Sequence, residues 1–157
     1  AFVENYSLTE NLFEAAWNAK LRGKDEVSMK ICNLLLNWLF KAGKYQTGWA
    51  LIDNSIYALV VLAIANKNNK QSIWLKAEIE KRIKEGGLAD KGMRDRAARE
   101  IRKQTISYRD RGYSHSSIER AMGQIEDKKG RNELLIEIAN ILSPETSKEE
   151  IKTNFFY

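Results

Sequence analysis

Residues 27–43, VSMKICNLLLNWLFKAG, decide the fold. Val27, Ile31, Leu34, Leu35, Trp38 and Leu39 recur at helical spacing, and Leu36 and Phe40 widen the apolar surface. Asp25 stands where a helix N-cap belongs, and Gly43 gives a C-terminal signal. The next helix is expected over residues 46–66. It starts amphipathic, through Trp49, Ile52 and Ile56, and becomes apolar nearly all round at ALVVLAIA, residues 58–65. A helix with no polar face has to be buried. Two such helices with a short link pack antiparallel.

The same logic extends in both directions. Upstream, Ser7 and Glu10 have capping-box spacing, which predicts a helix over Leu8, Leu12, Phe13, Ala16, Trp17 and Leu21, stopped by Gly23. Downstream, a fourth helix is expected from Gln71 to Glu85, ended by Gly86-Gly87. A thin apolar stripe of Met93, Ala97, Ile101 and Tyr108 then predicts a very polar helix closing at Gly112. A short helix through Ile118, Ala121 and Met122 follows, then a loop over 123–130. A strongly apolar helix comes next, with Leu134, Leu135, Ile138, Ile141 and Leu142, stopped at Ser143-Pro144. A last short helix is expected after Ser147, placing Ile151, Phe155, Phe156 and Tyr157 near the C-terminus. With a single proline in 157 residues, the pattern is an all-α helical bundle of about six to eight helices. The double glycine divides it into an N-terminal bundle, 1–85, and a basic helical region, 86–157, which together can form one compact domain. The segment LFKAGKYQTGWALID resembles one tetratricopeptide-type helical hairpin. A single copy does not make a solenoid, so it reads as a hairpin within the bundle.

Composition narrows the chemistry. Hydrophobic residues are 43% and charged residues 30%, the globular range. Cys32 is the only cysteine and lies in an apolar run, which makes it a core thiol and suits a reducing, cytoplasmic setting. Residues 1–7 lack the basic and apolar regions of a secretory leader, and the longest apolar stretch is too short to span a bilayer. One histidine and one cysteine do not make a usual zinc site. There is no Gly-rich phosphate loop, so no cofactor is expected.

Charge is the informative quantity. The net charge is zero over residues 1–66, +8 over 67–131 and −3 over 132–157. Such a polarised chain favours an anionic partner, with DNA first, RNA next, and an acidic protein surface as the rival. The candidate contacts are Arg94, Arg96, Arg99, Arg102, Lys103, Arg109, Arg111, His115, Ser116, Arg120, Lys128, Lys129 and Arg131.

Within that region, AREIRKQTISYRDRGYSHSSIERAMGQ, residues 98–124, has the outline of a helix-turn-helix. Gly112 supplies the turn, Tyr108 packs behind it, and Ile118 and Ala121 anchor the second helix. His115, Ser116, Glu119 and Arg120 line its outer side, where Arg120 reads guanine edges. Arg109 and Arg111 hold phosphates. Tyr108 is larger than the small residue usual four places before the turn, and Glu119 opposes phosphate. A second register makes SHSSIERAMG the first helix, similar to stretches of resolvase-type DNA-binding domains, with Arg131 onward as the reader. The acidic, apolar NELLIEIANIL suits a groove poorly, and exposure of Leu135 and Ile138 separates the two registers.

Two other functions compete with a small non-enzymatic nucleic-acid-binding regulator. One is a protein-interaction or assembly module, self-associating through the apolar N-terminal helices or the C-terminal aromatics. The other rests on Arg109 and His115, an Arg and a His separated by five residues, which resembles the motif of HEPN-type ribonucleases. That resemblance implies metal-independent RNA cleavage, with His and Arg acting on the 2′-hydroxyl and the scissile phosphate. Gly112 inside the motif departs from the family pattern.

Overall fold

The computed structural model describes residues 2–44, 49–65, 69–107 and 117–144. These form seven helices and no strand: α1 Phe2–Leu21, α2 Asp25–Lys44, α3 Trp49–Ile64, α4 Lys70–Lys84, α5 Lys91–Ser107, α6 Ser117–Gln124 and α7 Lys128–Leu142. The all-helical bundle is as the periodicity requires.

Helix α3 is the axis of the fold and packs against each of the other six helices. That placement accounts for its sequence. Every residue from Ala58 to Ala63 is buried, together with Ile52 and Ile56, so no side of the 58–63 stretch is left for polar residues. Helices α1 and α2 pair antiparallel. The Trp38 indole N–H donates to the Thr9 hydroxyl at 3.1 Å near one end, and the Ser28 hydroxyl donates to the Ala16 carbonyl at 3.0 Å near the other. Their link turns at Gly23, whose φ of 74° lies in the left-handed region that glycine enters without strain.

On the other side of α3, α5 and α7 form a second antiparallel pair. The Arg94 guanidinium donates to the Leu142 carbonyl at 3.3 Å near the start of α5, and the Asn132 amide donates to the Thr105 carbonyl at 3.4 Å near its end. Helix α4 joins this pair to the rest through the turn Gly86-Gly87-Leu88. A methyl group at Gly87 would lie 2.6 Å from the Phe40 ring and 2.9 Å from the Arg82 carbonyl, so only glycine fits. The Arg82 guanidinium sits 5.6 Å over that same ring, a cation–π contact that ties α4 to α2.

Several boundaries differ from expectation. Helix α1 starts at Phe2, so Ser7 and Glu10 fall within it and do not form a starting cap. Nothing between residues 2 and 7 breaks a helix once packing favours it. Helix α7 starts at Lys128, where a loop through Gly130 was expected. The Asp127 side chain caps it by accepting from the Gly130 backbone N–H at 2.9 Å, and the missing Cβ of Gly130 makes room for that carboxylate. On α2, Leu34 is 55% exposed and Val27 also faces out. The inward stripe runs instead through Ser28, Cys32, Leu35, Leu36 and Leu39. Small Ser28 allows close approach to α1, where its hydroxyl meets the Ala16 carbonyl. The Cys32 thiol accepts from the Gln71 amide at 3.2 Å, and burial pushes its pKa up to about 11, so it is an unreactive core group. The expected last helix after Ser147, with Ile151 and the terminal aromatics, lies outside the described residues.

Candidate nucleic-acid interface

Helix α5 carries six of the basic residues, and its packing sorts them by direction. Ala97, Ala98 and Ile101 are fully buried and define the inner face. With 3.6 residues per turn, the opposite side is occupied by Arg96, Arg99 and Lys103, at spacings of three and four residues. All three are exposed. Side-chain ion pairs and hydrogen bonds of Arg96 and Arg99 are absent among the described residues.

Arg94 and Arg102 do something different. They converge on the C-terminal end of α7, where a helix leaves carbonyls without intrahelical donors and carries a negative dipole end. Arg94 donates to the carbonyls of Leu142 and Leu88. Arg102 donates to the Ser143 carbonyl, to the Asn140 side chain at 2.9 Å and to the Ala139 carbonyl at 3.5 Å. Two arginines expected on the cationic surface therefore act as a clamp between α5 and α7.

Arg131 is buried, at 3% exposure. Its guanidinium donates to the Met122 carbonyl at 2.7 Å and to the Asn132 side chain at 3.0 Å, joining α7 to the end of α6. It lies in register with Leu134, Leu135 and Ile138 on the inner stripe of α7. That spacing, readable in the sequence, marks it as a core arginine.

Lys128 and Lys129 occupy the exposed first turn of α7, with Lys129 at 4.0 Å from Glu133. The antiparallel pairing sets this turn beside the Thr105 end of α5, the end that carries Lys103. Arg120 is exposed on α6 and lines a groove with Phe13, Glu14 and Trp17 of α1. Helix α6 packs on α1 and α3, while α5 packs on α3 and α7, so Arg120 opens toward α1. Tyr108, Arg109, Arg111, Gly112, His115 and Ser116 lie outside the described residues. So do the turn of the helix-turn-helix and both residues of the ribonuclease-like motif. Leu135 and Ile138 are 1% and 0% exposed and belong to the inner stripe of α7.

One group escaped the sequence reading. Asp53, on α3, is 4% exposed, and its Oδ1 has no hydrogen-bond partner among the described residues. Burial, reinforced by the Glu100 carboxylate on α5, pushes its pKa up to about 8, so it is neutral at physiological pH. A carboxylate one residue after Ile52 and three before Ile56 stands on the apolar stripe, and that spacing was the available signal. No described helix is long and apolar enough to cross a membrane. Compared with known proteins, the chain matches no family model, no curated protein and no solved structure.

Proposed function

We propose that this protein is a small, non-enzymatic nucleic-acid-binding accessory protein, and that the outward face of α5 is its contact surface. The observation that carries the reading is the stripe of Arg96, Arg99 and Lys103, held outward by a helix whose other face is locked into the core. A polar helix of this kind is weak alone. Here the clamp by Arg94 and Arg102 holds it rigid, so its exposed cations are set in one line. Lys128 and Lys129 add support. Lysines in a first helical turn oppose the helix dipole, a local cost that a bound polyanion offsets. DNA is the preferred partner.

The test is a mobility shift of the whole chain against random duplex DNA and single-stranded RNA at low and high salt. Complex at low salt that dissociates steeply as salt rises is the expected result. The absence of any complex at low salt would refute the reading. The rival, an assembly module, draws on Val27 and Leu34, exposed two turns apart on α2. It calls for a mass that rises with concentration in light scattering and for no nucleic-acid affinity.

A further inference from the structure

Resting on the reading above, we infer that α5 lies along one sugar-phosphate strand of a DNA duplex and leaves the bases unread. The order of charge across the helix points this way. A helix seated in the major groove turns its outermost residues to base edges and its flanks toward the phosphates of the groove walls. On α5 that order is reversed. The outermost stripe is cationic, and the half-buried carboxylates Asp95 and Glu100 flank it, one on each side, each about 70° round the helix from the stripe's centre. Seated in a groove, α5 would bring a carboxylate toward the phosphates on either wall. Laid along a single strand, it meets phosphates with Arg96, Arg99 and Lys103, and the carboxylates fall outside the contact.

The stripe also offers no neutral amide or hydroxyl between its cations to read adenine, thymine or cytosine edges. Gly92, exposed and in line with Arg96 and Arg99, adds no side chain, and no Asn, Gln, Ser or Thr stands between the cations on that face. From Arg96 to Lys103 the stripe rises about 10 Å along the helix axis, enough, with the reach of these long side chains, to meet two or three neighbouring phosphates of one strand.

Duplex is favoured over single strand by where the aromatic residues are. Sequence-tolerant single-strand binding stacks bases on aromatic rings set beside the cationic track. The described aromatic side chains, Phe13, Trp17, Trp38, Phe40, Tyr57 and Trp74, belong to α1–α4, and α5, α6 and α7 contain none. Among the described residues the stripe has nothing on which to stack an unpaired base.

Fluorescence anisotropy of the whole chain tests this on three labelled duplexes of unrelated sequence, one A·T-rich and one G·C-rich, and on an oligo-dT of equal length. The expected result is a Kd equal within about threefold across the duplexes, weaker binding to oligo-dT, and a slope of log K against log salt near about −3. Asp95→Asn is expected to tighten all three duplexes alike. A slope steeper than about −6 overturns the three-cation footprint, and a preference above about tenfold for one duplex or tighter binding to oligo-dT overturns the backbone-only contact while leaving nucleic-acid binding intact. No binding to any oligonucleotide overturns both.

Discussion

Asp53 makes the stability of this protein depend on pH in a direction that can be worked out beforehand. Its carboxyl is almost wholly buried, Oδ1 has no hydrogen-bond partner among the described residues, and Glu100 places a second carboxylate nearby. Burial is the larger cause and Glu100 the smaller, and together they raise the pKa from 3.8 to about 8. In the unfolded chain the group ionises near its ordinary value. Between these two values the native state holds a proton that the unfolded state has released, so the native state binds more protons and stability falls as pH rises. The slope is about 1.4 kcal/mol per pH unit, so the loss from pH 5 to pH 7 is roughly 3 kcal/mol. It levels off once pH passes the native value. That is a large part of the total stability of a typical domain. Asn is a neutral isostere of the protonated acid, so Asp53→Asn removes this dependence and keeps the volume. Urea melts of both proteins at pH 5, 6 and 7 measure it. The stability of Asp53→Asn relative to the parent should climb by roughly 3 kcal/mol over that range. A constant difference between the two proteins would show that Asp53 ionises normally and that the inferred desolvation is wrong.

Other consequences follow from named contacts. Arg102→Ala strips donors from the Ser143, Asn140 and Ala139 oxygens. It is expected to cost about 2 kcal/mol, the scale of a charged hydrogen bond, lowering Tm by about 6 °C for a chain of this size. Arg131→Met keeps bulk but leaves the Met122 carbonyl without that donor. Thermal melts should show a loss of about 2 kcal/mol, and an unchanged Tm would mean the buried guanidinium is dispensable. Gly87→Ala forces a methyl against the Phe40 ring and the Arg82 carbonyl. A destabilisation of about 1–3 kcal/mol is expected in urea titration, and a neutral effect would mean the turn relaxes freely.

The sequence was informative where packing follows from a residue's own neighbours. The unbroken apolar run from Ala58 to Ala65 required a central helix, and α3 touches every other one. Gly23, Gly86-Gly87 and Ser143-Pro144 marked ends correctly because turn chemistry is local. Gly130 misled, since a glycine signals a loop and also makes room for a capping carboxylate, and only the Asp127 geometry decides between them. The directions of the arginines depended on tertiary structure. Arg94 and Arg102 bond carbonyls roughly forty residues away, and nothing beside them in the chain announces that α7 ends there. Arg131 and Asp53 were different. Both sit on apolar stripes in register with core residues, so helical spacing already set them apart from the solvated charges.

The central claim is that binding runs through the outer stripe of α5. The direct measurement compares two triple variants by anisotropy on one duplex, with circular dichroism confirming that both stay folded. Arg96→Gln, Arg99→Gln and Lys103→Gln together remove the stripe. Lys70→Gln, Lys81→Gln and Lys84→Gln remove equal charge from the exposed side of α4. At about 1 kcal/mol per exposed ionic contact, the upper end for such pairs, the first set should weaken binding about 100-fold, and the second should change it little. If the α4 set abolishes binding and the α5 set leaves it at the parent level, the interface has been placed on the wrong helix.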